Sequence, residues 1–446
     1  MNLSRYFSVV CLLTMMPNIV WAAFPDTEAS WYRSNIDALE QQGIIGGYPD
    51  GMYRPHQSIN RAEFLKITMG MAGVSATQNI PNDCFPDIDP DAWYAPYVCS
   101  ARQKNITTGH SDGTFKPADP VTVHEGLAFS FRALNVSVPE NKNSDPWYTT
   151  LEDLSSDIGA MPDYSYNPDT KLTRGQAAAL LQTVDLYAKE GKKNTNRFSQ
   201  GCSLSESKVL SKTITVDGKE RTFLLDLPNE YDHKKPYAVM LAFHGRTNNN
   251  TELRQYTKLN RNQSEFIVIY PQAITLPNGT HSWAEEENIE FIDRILSQAN
   301  DAYCIDREEI YAVGHSLGGW FTHKLTCERG DVIRAMASVG TGGYYGECTG
   351  PAASLMLHNP EDWAVSYQSG ETAYDIRENV NECSMQSLDA TQGSFHCESA
   401  ASCRSGNQTI FCNYSQTVGG GTHSWPIGAT SVIQQFFSSM MLSMNP

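Results

Sequence analysis

Glu308-Glu309-Ile310-Tyr311-Ala312-Val313-Gly314-His315-Ser316-Leu317-Gly318-Gly319-Trp320 is the stretch that decides the fold of the larger half of the chain. Residues 308–314 read as a strand, because a short β-prone apolar run is bounded by charge on one side and glycine on the other. Residues 317–327 read as a helix. Between them stands Gly-x-Ser-x-Gly, centred on Ser316. A turn this tight from strand to helix tolerates only small flanking residues, and it holds the serine exposed above the sheet. Alone the pattern is weak. The strand before it and the helix after it make Ser316 a candidate nucleophile.

Working outward, strands and helices alternate. Residues 237–243 and 266–270 are apolar runs of the kind that fill a parallel sheet. Residues 289–303 have apolar positions at helical spacing, and 333–340 and 353–358 supply two more strands. Upstream, Asp217-Gly218 separates two β-rich runs and marks a hairpin. The pattern predicts an α/β fold with a mainly parallel sheet over residues 207–446.

A serine hydroxyl is a poor nucleophile without a positioned base. In such folds the chain order is serine, carboxylate, histidine. His323, His358, His396 and His423 follow Ser316. His323 lies on the helix after the turn, His358 ends a strand, and His396 sits in a cysteine-rich stretch. His423 lies in Val418-Gly-Gly-Gly-Thr-His-Ser-Trp-Pro426, a loop able to carry an imidazole over the sheet. It is the expected base. The acid falls in the polar turn after the strand 353–358, where Asp362 is preferred and Glu361 is the alternative. An oxyanion needs two backbone N–H donors. Leu317, directly after the nucleophile, is one. Arg246, after His244-Gly245 at the end of the strand 237–243, is the other. This chemistry requires no metal and no cofactor.

The N-terminal half is built differently. Phe24-Pro-Asp-Thr-Glu-Ala-Ser-Trp-Tyr32, Gly43-Ile-Ile-Gly-Gly-Tyr-Pro-Asp-Gly51 and Ile59-Asn-Arg-Ala-Glu63 recur as a second set. There they read Phe85-Pro-Asp87 with Trp93-Tyr94, Gly109-His-Ser-Asp-Gly113 and Val121-Thr-Val-His-Glu125. A weaker third copy has Asp145-Pro-Trp-Tyr148 and Leu172-Thr-Arg-Gly-Gln176 but no Gly-Tyr-x-Asp-Gly turn. Asn60 with Glu63, and Thr173 with Gln176, are capping boxes that open helices. Each unit therefore reads as helix, turn-rich loop, helix, and buries its faces only against neighbours. The units are expected at about 24–72, 84–135 and 145–188, with a polar linker at 189–206.

Composition bounds the partners. The chain has 446 residues, 33 Lys+Arg against 50 Asp+Glu, and a formal net charge of -17. A polyanion needs a basic surface, so nucleic acid is not an expected partner. Residues 1–22 read as a secretory signal: Arg5, a short apolar run, then Ala22-Ala23. No later run is long enough to span a bilayer. Eleven cysteines suit an oxidising compartment. Cys84 and Cys99 stand alone in the N-terminal half and are expected to pair. Among the other eight, about 105 pairings are open once Cys11 is set aside, and Cys397–Cys403 and Cys383–Cys412 are the pairs expected.

Two resemblances follow from these residues. Residues 24–188 resemble the S-layer homology family through the Phe-Pro-Asp…Trp, Gly-Tyr-Pro-Asp-Gly and Asn-Arg-Ala-Glu or Leu-Thr-Arg-Gly-Gln motifs. The resemblance implies an all-α-rich array of three repeats that binds cell-wall polysaccharide in grooves between repeats, with Asp26, Trp31, Gly47, Arg61 and Arg174 lining them. Val123 stands where the second copy should carry arginine. Residues 206–430 resemble the esterases that include polyhydroxybutyrate depolymerases and feruloyl and acetylxylan esterases. The pieces are Leu241-Ala-Phe-His-Gly245, Tyr311-Ala-Val-Gly-His-Ser-Leu-Gly-Gly319, His358-Asn-Pro-Glu-Asp-Trp363 and Gly419-Gly-Gly-Thr-His-Ser-Trp-Pro426. The resemblance implies an α/β-hydrolase with Ser316, His423, Asp362 and the Arg246 N–H in its active site. Trp363 replaces the family's proline. The function expected is a secreted, cell-surface-associated serine esterase acting on feruloyl or acetyl esters of polysaccharide, or on polyhydroxyalkanoate. A peptidase or thioesterase on the same fold, or a non-catalytic wall-binding adhesin, are the alternatives.

Overall fold

The computed structural model describes residues 24–77, 80, 84–140, 146–160, 170–191, 197–204, 210–261, 263–284, 286–346, 348, 350–389, 394–403 and 407–441. The leader expected over 1–22, and the part of the third repeat at 161–169, lie outside these residues.

Among the described residues six α-helices form the N-terminal array: α1 (Arg33–Gln41), α2 (Arg61–Met71), α3 (Ala95–Gln103), α4 (Val123–Ala133), α5 (Thr149–Ile158) and α6 (Arg174–Glu190). The second helix of every unit opens on a complete capping box, Asn60/Glu63, Thr122/Glu125 and Thr173/Gln176. Just before each box three segments of the chain join in a closed ring of backbone hydrogen bonds. Ile59 N–H donates to Leu172 O (3.0 Å), Leu172 N–H to Val121 O (2.9 Å), and Val121 N–H to Ile59 O (3.0 Å). All three side chains are fully buried. The ring satisfies backbone groups that would otherwise be orphaned in a core. Leu172, just before the third capping box, is a full member of that ring.

Among the described residues the C-terminal half holds a ten-stranded sheet in the order β1-β2-β4-β3-β7-β8-β9-β12-β11-β10 and a separate pair, β5 (Ile274–Thr275) and β6 (His281–Ser282). Its central strands β4 (Phe266–Pro271), β3 (Tyr237–Phe243), β7 (Ile305–His315), β8 (Ala335–Val339), β9 (Ala353–His358) and β12 (Thr409–Asn413) run parallel. β1 (Thr213–Val216) and β2 (Lys219–Asp226) form the hairpin across Asp217-Gly218 at one edge. β11 (His396–Ala401) and β10 (Ser384–Asp389) extend the other edge antiparallel. β3 and β4 are buried throughout because helices cover both sheet faces. α7 (Asn250–Thr257) and α11 (Ala429–Met440) pack on one face, while α8 (Glu287–Ala302), α9 (Leu317–Glu328) and α10 (Tyr367–Val380) pack on the other. No described helix is long and apolar enough to cross a membrane.

Cys84 is bonded to Cys99. The two pairs expected near the C-terminus are corrected: the bonds are Cys383–Cys403 and Cys397–Cys412. Sheet register is the reason. Cys397 and Cys412 lie directly opposite each other between β11 and β12. Cys383 precedes Ser384, whose partner Ala401 brings the end of β11 to it. Cys327–Cys348 and Cys202–Cys304 complete the described set.

The stretch read as a linker is partly structured. α6 runs through Glu190, and Arg197 to Ser203 is fastened to the hydrolase half. Arg197 grips Asp306 with two nitrogens, and Ser199 N–H donates to Ile305 O at 2.8 Å. The first repeat also docks there. The Arg307 guanidinium lies 4.6 Å over the Trp31 ring and donates to Trp31 O, while the Tyr32 hydroxyl donates to Asp331 O at 3.4 Å.

Candidate active site

Ser316 sits between β7 and α9 with φ 55° and ψ -124°, a backbone region a residue with a Cβ enters only when its surroundings hold it there. Glycine makes the turn possible by size. A Cβ on Gly314 would come within 2.2 Å of Gly318 O, and one on Gly318 within 2.2 Å of Phe243 O. The turn leaves the Ser316 hydroxyl at the floor of a cleft of ≈ 730 Å³.

The loops after three other strands converge on it. His423 Nε2 is 2.8 Å from Ser316 Oγ, and His423 Nδ1 is 2.7 Å from Asp362 Oδ2. Asp362 follows β9, and its side chain is wholly buried. Its other oxygen accepts from the N–H groups of Ala364 (2.8 Å) and Val365 (2.9 Å), so the carboxylate has one orientation. Glu361, the alternative acid, is exposed and has no contact with His423 among the described residues. Gly340, at the end of β8, backs onto the pair: a Cβ there would lie 3.2 Å from Asp362 Oδ2 and 3.3 Å from His423 Nδ1.

The loop after β3 carries Arg246, whose N–H is the second expected oxyanion donor. A Cβ on Gly245 would stand 3.3 Å from Ser316 Cβ, which places this loop against the nucleophile. The His244 ring fixes it. Its Nδ1 lies 2.9 Å from Gly245 O, and its Nε2 accepts the Ala273 N–H at 3.0 Å, so Nδ1 carries the proton. Holding Gly245 O fixes the Gly245–Arg246 peptide plane. In a trans peptide the Arg246 N–H then points the opposite way. Trp283 donates to His244 O at 2.9 Å and is itself buried. Burial pushes His244 down to about 4, which keeps the ring neutral in that role. The Leu317 N–H stands at the N-terminus of α9, where the helix dipole favours negative charge.

Two further residues hold the base loop, and sequence reading passed over both. The Tyr256 hydroxyl lies 2.9 Å from His315 Nδ1, and His315 Nε2 lies 3.1 Å from His423 O. A carbonyl only accepts, so His315 donates from Nε2 and accepts from Tyr256. Burial, with His423 beside it, pushes His315 down to about 4. His315 adjoins Ser316 in sequence, but Tyr256 lies 59 residues away and nothing in its own neighbourhood marks it.

Of the other histidines, His358 supports the acid loop through Val365 O at 3.1 Å, and His323 is buried under the sheet against Ser338. His396 lies on β11. Trp320, Trp363 and Trp425 line the cleft, whereas Trp283 is in the core.

Of the array residues expected to line grooves, Asp26 and Trp31 line clefts against the hydrolase half, whereas Arg61 and Arg174 are buried. Arg61 is buried, donating to Phe115 O at 2.7 Å and paired with Glu125 of the second repeat. Arg174 is buried, donating to Tyr53 O at 2.8 Å, with Glu63 at 3.7 Å. Both tie one repeat to the next rather than facing a groove. Val123 occupies the equivalent place in the second repeat, and its N–H donates to Thr170 O. Asp26 accepts the N–H groups of Tyr53 and Arg54 and so closes its own turn. Gly47 leaves room for Phe24. Trp31 lies under Arg307, whereas its counterparts Trp93 and Trp147 are 53% and 57% exposed.

The S-layer homology domain profile matches residues 23–65 and 85–122. Over 207 residues the chain is 30% identical to a probable feruloyl esterase C of Aspergillus niger, covering 44% of this chain and 73% of that protein. It is 26% identical to feruloyl esterase D of Neurospora crassa over 215 residues, 44% of this chain and 72% of that one. Among solved structures, an acetyl xylan esterase from Aspergillus awamori aligns with TM-score 0.37 at 15% identity, over 52% of this chain and 99% of that one.

Proposed function

The chain belongs to the feruloyl esterase family and is a carboxylic ester hydrolase joined to S-layer homology repeats, and from that premise we propose a serine acyl-enzyme mechanism at Ser316. The observation that carries it is the hydrogen-bond chain from Asp362 through His423 to Ser316 Oγ at the floor of the cleft. His423 Nε2 takes the hydroxyl proton as Oγ attacks the ester carbonyl. Asp362 holds the ring and stabilises the imidazolium. The Leu317 and Arg246 N–H groups receive the oxyanion. His423 then protonates the leaving alcohol, and a water, activated by the same ring, releases the acid.

The substrates that suit this cleft are feruloyl or acetyl esters on polysaccharide, or polyhydroxyalkanoate-type polyesters. Trp320 and Trp363 supply flat apolar walls for an aromatic acyl group or a sugar face. The repeats attach the enzyme to cell-wall polysaccharide after export, with the exposed Trp93 and Trp147 rings as stacking surfaces. Ser316→Ala tests the mechanism. Hydrolysis of 4-nitrophenyl acetate and methyl ferulate is expected to vanish with the fold retained. Turnover surviving the change would refute it.

A further inference from the structure

We propose that the cleft over Ser316 takes esters carrying a carboxylate close to the scissile bond, and that the Arg246 guanidinium receives it. The proposal rests on the esterase reading and narrows its substrate class.

Charge is distributed against the trend of the chain. The protein has 50 acidic and 33 basic side chains. Yet among the described residues lining the cleft there is no Asp or Glu, and Arg246 is the one Lys or Arg. Asp362, behind His423, is buried and committed to that ring and two backbone N–H groups, and Glu252, six residues after Arg246, caps its own helix through Asn249. Arg246 is exposed, and its guanidinium has no hydrogen-bond or ion-pair acceptor among the described residues. Three other arginines of the same half are ion-paired: Arg254 with Asp226, Arg294 with Glu290, Arg329 with Asp293. A negatively charged chain has left one guanidinium without a partner at the place where substrate must lie.

Geometry gives this cation its reach. The Arg246 N–H is placed beside Ser316 by Gly245 and by the His244 clamp on Gly245 O. Its side chain leaves from the adjoining Cα. A guanidinium anchored there lies within a few bonds of an ester whose carbonyl oxygen faces the N–H. The planar fork matches a carboxylate with two parallel hydrogen bonds. Trp320, Trp363 and Val418 line the same cleft and offer apolar surface to the rest of such an ester. The carboxylate belongs to the acyl group or to the alcohol, as in an ester of a uronic acid-bearing saccharide.

Two matched substrate pairs test the proposal and separate these sources. 4-Nitrophenyl acetate against mono-4-nitrophenyl succinate places the charge on the acyl side. Ethyl ferulate against carboxymethyl ferulate places it on the alcohol side. The quantity read is kcat/KM of the charged member over that of its neutral partner, so losses common to both cancel. A ratio of about ten or more is expected in one pair, the size of one charge-assisted hydrogen bond. Arg246→Gln should bring it to near one, Arg246→Lys should keep part of it, and Arg246→Glu should invert it. A ratio at or below one in both pairs, or a ratio that Arg246→Gln leaves unchanged, overturns the proposal while esterase activity stands. Absence of turnover on all four substrates would instead overturn the esterase reading.

Discussion

Arg61 and Arg174 in the array, and Ser316 and His423 in the hydrolase, are all polar residues of recurrent motifs, but packing gives them opposite uses. Each arginine is buried and spends its donors on a carbonyl and a carboxylate of the adjoining repeat. The serine and histidine stand at loop ends above a rigid sheet and meet at the floor of an open cleft. A motif residue in a repeat array must first close the array, because no repeat has a core of its own. A motif residue at the end of a parallel strand is released from that duty by the sheet beneath it. The same contrast recurs within the array. Trp31 is covered by Arg307 of the hydrolase half, while Trp93 and Trp147 keep exposed faces.

Exchanging the two kinds of residue should therefore break different properties. His423→Ala is expected to lower kcat by about 10⁴-fold or more, as loss of a triad member does, with the thermal midpoint within a few degrees of the parent. A large fall in midpoint would assign His423 to structure. Arg174→Ala should do the reverse. It leaves Tyr53 O without its donor and Glu63 without its cation, at a cost of about 3 kcal/mol. Denaturant melts followed by array tryptophans should move, while ester turnover per active site holds. Turnover that collapsed with the array intact would show that Arg174 serves the active site instead.

His315→Gln lies between these extremes. The Tyr256–His315–His423 carbonyl chain sets where the imidazole stands, and small misplacement of a catalytic group costs up to about 100-fold. A drop of that order in kcat with KM retained is expected. A shift in KM alone would place His315 in substrate binding. Acid provides the mildest probe. His244, His315 and His323 are buried in the hydrolase, and burial pushes them to about 4, 4 and 3. Below the ordinary histidine value of about 6.5 the unfolded chain binds protons that the folded chain refuses. Stability should thus fall as pH drops from about 6.5 toward 4, by up to about 1.4 kcal/mol per pH unit for each ring. Thermal midpoints of the hydrolase transition that stay level across that range would contradict the neutral, buried assignment.

Much of the site was legible because its signals are local. The glycines around Ser316 are dictated by van der Waals contact within one turn. The order serine, carboxylate, histidine follows from which loops of a parallel sheet share one end. Asp362 could be favoured over Glu361 but not separated from it, since the choice depends on which side chain turns inward after β9. The disulfides between residues 383 and 412 were misread because strand register, not spacing, decides which sulfurs meet. Tyr256 was invisible, for its partner is 59 residues away. In the array, sequence marked the repeats but not the burial of their arginines. A conserved-looking arginine reads the same whether it faces a ligand or a neighbouring repeat's carbonyl.

Labelling with a fluorophosphonate, followed by peptide mapping, identifies which serine is the nucleophile. One phosphonyl adduct on Ser316, lost in His423→Ala and retained in Arg174→Ala, is the result predicted. No adduct, or an adduct on another serine, would contradict the assignment of the nucleophile.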